Sequence, residues 1–387
     1  LEEKMAREFG SLELDNIKKV LDSGMIGWNE NGMVTAFEKA FAEKAGSKFG
    51  VGRNSAMTAL SQGISISGAG TGTEVLVDPI VHFGGLAALS FNAVPRFVDV
   101  DPGTYLMDPE SIEANITENT KALIVTNFWG LCAPLDRIRD ICKEHGIFMI
   151  EDCAHSLGSY WKEKHSGTFG DLGIFSFQQT KQLTTGDGGM MITDREDLHY
   201  KLYNEWAFGG ESPAFMTLNF RMNELTAAVG LGQLQRVDAY LKEYKKNLDI
   251  MNQAIQDCDW LENRSVPGEA EQAGYVWCCK WTGDREGLDF AEFQRNCKEE
   301  GLSLRFGFTQ KPAYYYDIFK GSTAYHQGEC PVRCPFYNSD YRYEPGLCPN
   351  AEDLIWRMVD TPVMEIPRDV MEKKGEALQR AIRKTEV

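Results

Sequence analysis

No run of apolar residues in this 387-residue chain reaches membrane-spanning length, so no transmembrane helix is expected. Basic residues are in deficit: 40 Lys and Arg stand against 57 Asp and Glu, a formal net charge of -17. Nucleic acids and anionic membrane surfaces both require a basic face, so neither is an expected partner. The ten cysteines are scattered, without the spacing of a disulfide framework, and the expected compartment is a reducing cytoplasm. The opening Leu1-Glu2-Glu3-Lys4 has neither the basic start nor the apolar core of a signal peptide. In that compartment the sequons at Asn115 and Asn263 are chance matches. Gly68-Ala69-Gly70-Thr71-Gly72 lacks the dinucleotide fingerprint spacing and precedes a strand instead of following one, which argues against a nicotinamide dehydrogenase. Cys330, Cys334 and Cys348 with His326 fit no zinc spacing, so no metal is expected. Internal repeats and low-complexity segments are also missing.

What is present reads as a soluble α/β enzyme. Hydrophobic residues make up 43% and charged residues 25%, and the length allows two domains. From about residue 70 to 195, short apolar runs alternate with amphipathic stretches such as Leu135 to Glu144. The strand candidates are Glu74 to Val77, Arg96 to Val100, Ala122 to Val125, Phe148 to Ile150, Gly173 to Ser176 and Met190 to Thr193. Near-continuous apolar strands alternating with helices predict a mostly parallel central sheet covered by helices on both faces. Residues 222 to 257 read as one long helix, with helical spacing and no proline. The expected division is a large domain over 1–245, with an N-terminal arm, and a smaller C-terminal α+β domain over 246–387. Residues 308 to 350, rich in Tyr, Pro, Cys and Gly, read as a long irregular loop. Its Cys-rich part, 326–348, is expected to face a substrate or an interface.

Two side chains carry the chemistry. Lys181 lies between the apolar run Ile174 to Phe177 and the glycine-rich stretch Gly186-Asp187-Gly188-Gly189, a poor place for a solvated charge. Asp152 ends another apolar run, Ile147 to Glu151. Alone, Asp152 reads as a helix N-cap. With Lys181 it reads as half of a site for a cofactor that forms an imine and carries a ring nitrogen. Pyridoxal 5'-phosphate (PLP) is such a cofactor.

Several spaced elements then act together: Glu151-Asp152-Cys153-Ala154-His155, Gly170-Asp171, Ser176-Phe177 with Lys181, and Gly186 with Gly188-Gly189. In this set the chain resembles the DegT/StrS family of sugar aminotransferases, a branch of the fold-type I PLP enzymes. The similarity is densest from about 50 to 230. The resemblance implies that Lys181 holds the cofactor and moves protons, and that Asp152 pairs with the pyridine nitrogen. It implies that His155 touches the ring oxygen and that Ser176 donates to the phosphate. Asn54-Ser55-Ala56-Met57-Thr58 resembles the helix start that cradles the phosphate, with Ala56 where glycine is usual and Met57 where threonine is usual. The lost threonine hydroxyl would have to be replaced by Ser55 or Ser176. His82, with Phe83 as alternative, stands where the family stacks a ring on the cofactor. Leu218 to Met222 resembles the Asn-Tyr-Arg-Met element, whose asparagine, here Asn219, serves the neighbouring subunit's phosphate. Asn127 stands where histidine is common. Each residue has a plainer alternative: His155 a structural histidine, Ser176 a buried hydroxyl, Ser55 and Asn219 local caps, His82 a core ring.

The expected function is PLP-dependent transfer of an amino group from glutamate or glutamine to a keto-sugar or keto-cyclitol. Gln178-Gln179-Thr180 and Asn92-Ala93-Val94-Pro95 resemble the cyclitol branch more than the nucleotide-sugar branch. Trp28, Asn29, Arg221 and Tyr314 are the candidate substrate contacts. The expected assembly is a homodimer. The competing readings are a sugar dehydratase of the same family, which typically has histidine at the Lys181 position, and a non-catalytic binding or regulatory protein on the same fold.

Overall fold

The computed structural model describes residues 7–205, 218–320, 324, 330–337 and 339–386. Two helices, α1 (Ser11–Ser23) and α2 (Met33–Ala45), lead into an alternation of strands and helices. β1 (Phe49–Arg53), α3 (Ala56–Ser67), β2 (Glu74–Val77), α4 (Phe83–Ser90) and β3 (Val94–Phe97) come first. α5 (Pro109–Asn115), β4 (Thr120–Thr126), α6 (Leu135–His145) and β5 (Phe148–Asp152) follow. A short hairpin, β6 (Tyr160–Trp161) and β7 (Lys164–His165), precedes β8 (Leu172–Ser176), β9 (Gly189–Thr193) and α7 (Glu196–Tyr200).

The central sheet has seven strands in the order β1-β9-β8-β5-β4-β2-β3. Among them β9 alone runs against its neighbours. Val75, Leu76, Val77, Leu123, Ile124, Val125 and Ile174 are fully buried, as the strands of a sheet covered on both faces must be. The mostly parallel sheet expected from the apolar runs is therefore present.

Two local expectations are corrected, and one strand had none. β1 had no strand expectation: Gly50 and Gly52 interrupt its apolar pattern, yet a Cβ on Gly50 would lie 2.5 Å from the carbonyl oxygen of Glu38, so α2 packs directly on this backbone. β3 starts at Val94 instead of Arg96 and contains Pro95, which an edge strand tolerates. The single long helix over 222–257 is two helices, α8 (Glu224–Leu234) and α9 (Val237–Ala254). They turn at Gln235–Arg236, where Arg236 forms a short ion pair with Glu13 at 2.5 Å.

α9 carries the chain without a break across residues 245 and 246. Beyond it come β10 (Leu261–Asn263), β11 (Ala270–Glu271), β12 (Val276–Trp281), α10 (Phe290–Glu299), β13 (Arg305–Phe306) and α11 (Asp317–Lys320). α12 (Pro349–Arg357), β14 (Met358–Pro362) and α13 (Arg368–Thr385) complete the order. β11 pairs with the hairpin β6–β7, and β10-β12-β14-β13 form an antiparallel sheet. Trp260, Trp277, Trp281, Phe293 and Leu378 build its core, together with Leu248 and Met251 of α9.

The described part of the Tyr- and Cys-rich loop returns to the first core and covers the edge of β3. Tyr341 accepts from the Phe97 N–H at 2.8 Å, Tyr343 donates to the Pro95 carbonyl at 2.8 Å, and Tyr337 donates to Glu74 at 2.6 Å. An open strand edge is a liability that a covering loop removes. These three tyrosines are structural. His326 lies outside the described residues. Among the described residues, no three His, Cys, Asp or Glu side chains gather to hold a metal.

Candidate active site

β1, β2, β5 and β8 are parallel, so their carboxyl ends share one edge of the sheet, where ligands of open α/β sheets bind. Asp152 ends β5, Ser176 ends β8, Asp78 follows β2, and Ser55 follows β1 at the start of α3.

The Lys181 loop leaves β8 at this edge. Its Nζ donates to the Tyr275 hydroxyl at 3.1 Å and lies 5.2 Å from the Tyr275 ring centre. His155 also packs on Tyr275, its ring stacked at 4.7 Å with planes 20° apart. Burial, then the charges of Lys181 and Arg264, push the His155 pKa well below its ordinary value, so the imidazole is neutral at neutral pH. Its Nδ1 is buried without a partner. Asp152 is 3% exposed, and its carboxylate accepts from the Ala154 N–H at 3.0 Å. Burial raises the Asp152 pKa, against the pull of that N–H and of the Lys181 charge. A buried carboxylate of this kind is satisfied by a cation.

The helix start lies beside this group. Ser55 caps α3 by accepting from the Thr58 N–H at 3.2 Å. The N–H groups of Ala56 and Met57 precede the intrahelical pattern and remain available to an anion. Gly189, paired with Ser176 across β8 and β9, sets this distance: a Cβ there would lie 2.6 Å from the Ser55 carbonyl carbon and 2.7 Å from the Ala56 nitrogen. Ser176 is half-buried and makes a long contact with the Gln178 N–H at 3.4 Å.

The structure thus gathers Lys181, Asp152 and His155 at one end, and Ser55, Ala56, Met57 and Ser176 at the other. The remaining expected residues are placed differently. His82 is the N-cap of α4, half-buried, with its ring 4.4 Å from Phe83 and 5.5 Å from Tyr316. Burial lowers its pKa. Asn219 is exposed, and its Oδ1 accepts from the Arg221 N–H at 3.3 Å. Arg221 bridges to Arg53 of β1. Trp28 packs edge-on against Tyr203 at 5.6 Å, and the Asn29 N–H donates to Glu224 at 3.0 Å, so both anchor the segment before α2. Tyr314 is fully buried, and its hydroxyl bonds Glu352 and the Cys348 N–H. It is a core ring with no surface left for a substrate, a correction to its expected role. Asn127, whose meaning was open, is buried and holds the loop after β4: its Oδ1 accepts from the Ala133 N–H at 3.1 Å. Glu151 accepts from the Gly167, Phe169 and Gly170 N–H groups at 2.7, 2.7 and 2.8 Å, which explains the acidic pair in the motif.

Four residues beside the site had no sequence expectation. Tyr275 and Arg264 come from beyond α9. Arg264 is buried and donates to the Phe128 carbonyl at 2.8 Å. Asp78 is 1% exposed and accepts from the Ile80 and Val81 N–H groups at 2.6 and 2.8 Å, fixing the turn before His82. Arg7 reaches the Lys181 loop from the N-terminal arm. Asp78 stood in the sequence as a polar residue directly after an apolar strand, the same signal that marked Asp152. The other three carried none. A cavity of about 490 Å³ opens beside Tyr275, lined also by Gln179, Thr180, Ser303, Arg305 and Lys374.

The residues fit PLP. Asp152 offers a buried carboxylate to a protonated ring nitrogen, the orphaned His155 Nδ1 offers a partner to a ring oxygen, and the start of α3 offers N–H groups to a phosphate. The fold is that of the fold-type I aminotransferases. An aminotransferase structure from Psychrobacter cryohalolentis superposes with a TM-score of 0.83 at 23% identity, covering 98% of each chain. The model of the DegT/DnrJ/EryC1/StrS aminotransferase family matches residues 8–334, and the chain belongs to that family. Among its relatives, the spore coat polysaccharide biosynthesis protein SpsC of Bacillus subtilis (strain 168) is 30% identical over 85% of this chain and 88% of its own length. L-glutamine:2-deoxy-scyllo-inosose aminotransferase of Streptomyces kanamyceticus is 30% identical over 78% of this chain and 74% of its own.

Proposed function

We propose that this protein is a PLP-dependent aminotransferase that moves an amino group from glutamine or glutamate to a keto-cyclitol or keto-sugar. The observation that carries the reading is the meeting of Lys181, Tyr275, His155 and Asp152 at the carboxyl edge of the sheet. Bound PLP would supply an electron sink for the carbon that gains or loses the amine. Asp152 would keep the ring nitrogen protonated. Neutral His155 would hold the ring oxygen. Ser55, the N–H groups of Ala56 and Met57, and Ser176 would hold the phosphate, and His82 would cover the ring. Lys181 would hold and release the proton at the reacting carbon, with the Tyr275 hydroxyl fixing its Nζ. The relatives named as L-glutamine:inosose aminotransferases support an inosose-like acceptor. The cavity beside Tyr275 mixes polar side chains, Gln179, Thr180 and Ser303 among them, with apolar ones such as Val276, Met364 and Ile366, a lining that admits a hydroxylated ring. Lys181, where the dehydratase branch typically has histidine, favours amino transfer.

Exposed Asn219 fits a site completed across a homodimer. Ten unpaired cysteines fit a reducing cytoplasm. The division into domains falls within α9, whose second half packs in the C-terminal core. The test is borohydride reduction of the PLP-loaded protein followed by peptide mapping. Cofactor fixed to Lys181 is the expected result; label elsewhere, or none, would refute the reading.

A further inference from the structure

We propose that Arg7 is a positioning residue for Lys181, a buried guanidinium that ties the backbone of the Lys181 loop to the C-terminal part of the chain. The proposal rests on the reading of Lys181 as the cofactor-holding lysine. One Arg7 nitrogen donates to the Lys181 carbonyl at 2.5 Å and also pairs with Glu365 at 2.8 Å. The other terminal nitrogen reaches the Gln179 carbonyl at 3.4 Å. The Arg7 side chain is 2% exposed, and that of Glu365 is 25% exposed. Glu365 follows β14, so three distant pieces of chain meet on one side chain: the N-terminal arm, the loop after β8 and the segment after β14.

The loop needs such a tie. Gln178, Gln179 and Thr180 are exposed; the loop is pinned further along by the Thr185 N–H to the Phe177 carbonyl at 2.9 Å and by Gln182 to the His155 carbonyl at 2.8 Å, while the turn at Lys181 has the Lys181 N–H to the Gln178 carbonyl at 2.9 Å and the Thr180 N–H and hydroxyl to the Gln178 side chain, both at 2.8 Å. Nothing in that turn fixes the Lys181 carbonyl. Arg7 does, with a charge-assisted bond in a dry environment, where such bonds are strong and their loss is costly. The planar fork lets one side chain span two carbonyls and a carboxylate, which a lysine cannot do. The arm itself is held in register from behind: Gln233 donates to the Glu8 carbonyl at 2.8 Å, and the Glu8 N–H donates to the Tyr240 hydroxyl at 3.2 Å. Arg7 is therefore delivered to the loop by bonds independent of the loop.

The test uses Arg7→Ala, Arg7→Lys and Glu365→Gln in the full chain, with and without PLP. Hydrogen–deuterium exchange of 178–185 in the cofactor-free protein reads the tie without any catalysis. Arg7→Ala should speed exchange there by about ten-fold, the loss of one charge-assisted bond, while the strands of the central sheet keep their protection. In the PLP-loaded protein the absorption band of the bound cofactor should shift or broaden, and kcat should fall more than KM for the amino donor rises. Arg7→Lys should restore part of the protection. Glu365→Gln, which frees the guanidinium without emptying its site, should give a smaller acceleration of the same segment. Should Arg7→Ala fail to fold, Glu365→Gln and Arg7→Lys decide the matter alone. Unchanged exchange at 178–185, or a uniform rise across the whole chain, would overturn the proposal. Failure of the wild type to bind PLP would instead refute the proposed function and leave the exchange result standing.

Discussion

Asp152 and Lys181 can be separated from mere packing by changing charge and keeping shape. Asp152→Asn should retain cofactor but lose turnover by at least about a hundred-fold, because the ring nitrogen is no longer held protonated. Steady-state rates checked against cofactor absorbance distinguish this from simple loss of PLP. Lys181→Ala should abolish turnover. Asp78 yields a pH prediction. Burial pushes its pKa up from 3.8 to about 7, so in that window the folded protein keeps a proton that the unfolded chain releases. The Asp78 contribution to stability therefore falls as pH rises from about 4 to about 7 and levels off above, while the histidines that burial holds down, His165 at about 4 and His155, act in the opposite direction. Glu38, also pushed up to about 7, and Asp360, pushed up to about 6, act in the same direction as Asp78. Denaturant unfolding across this range should show the wild type losing stability relative to Asp78→Asn as pH rises; parallel curves would contradict the assignment. At this scale the sequence is legible where a polar residue ends or closely follows an apolar strand: Asp152 ends β5, and Lys181 stands in the loop after β8. It is not legible at Tyr275, 94 residues from its partner Lys181, or at Arg7, because their positions depend on how separate segments pack.

Helix α3 is useful to the site because Gly189 lets its first turn lie on the sheet edge. Gly189→Ala should displace that turn at a cost of about 1–3 kcal/mol, as overpacking does. The expected result is weaker PLP binding, by about ten-fold or more, with the protein still folded by circular dichroism. Unchanged PLP affinity would show that the helix start does not hold the phosphate. Most strands of the sheet were readable as apolar runs, because burial on both faces leaves only apolar choices. β1 was hidden by glycines chosen for the contact with α2. The break between α8 and α9 was hidden because neither proline nor glycine stands at the turn; Arg236 there pairs with Glu13, a contact between segments far apart in the chain. Tyr314 looked like a ligand contact in a loop. The loop's tyrosines are buried because they seal an edge strand.

The whole molecule is expected to act as a pair. If Asn219 serves the partner's site, mixing Lys181→Ala subunits with Asn219→Ala subunits should restore activity toward about a quarter of wild type, the share of intact sites in randomly mixed dimers. Light scattering should give a dimer; a fully active monomer would contradict it. The acidic balance and the mostly parallel sheet were legible from composition and pattern. How α9 joins the two cores, and how the arm and the C-terminal part close on the Lys181 loop, depended on contacts between segments far apart in the chain. The central claim is transfer of an amine through Lys181 to a hydroxylated ketone. The most direct measurement is to supply the PLP-loaded protein with glutamine carrying a labelled α-nitrogen and with scyllo-inosose, then follow the label by mass spectrometry. The account predicts label in an aminocyclitol with wild type and none with Lys181→Ala. Label that stays in the amino acid across a panel of keto-cyclitols and keto-sugars, or passes equally with Lys181→Ala, would contradict it.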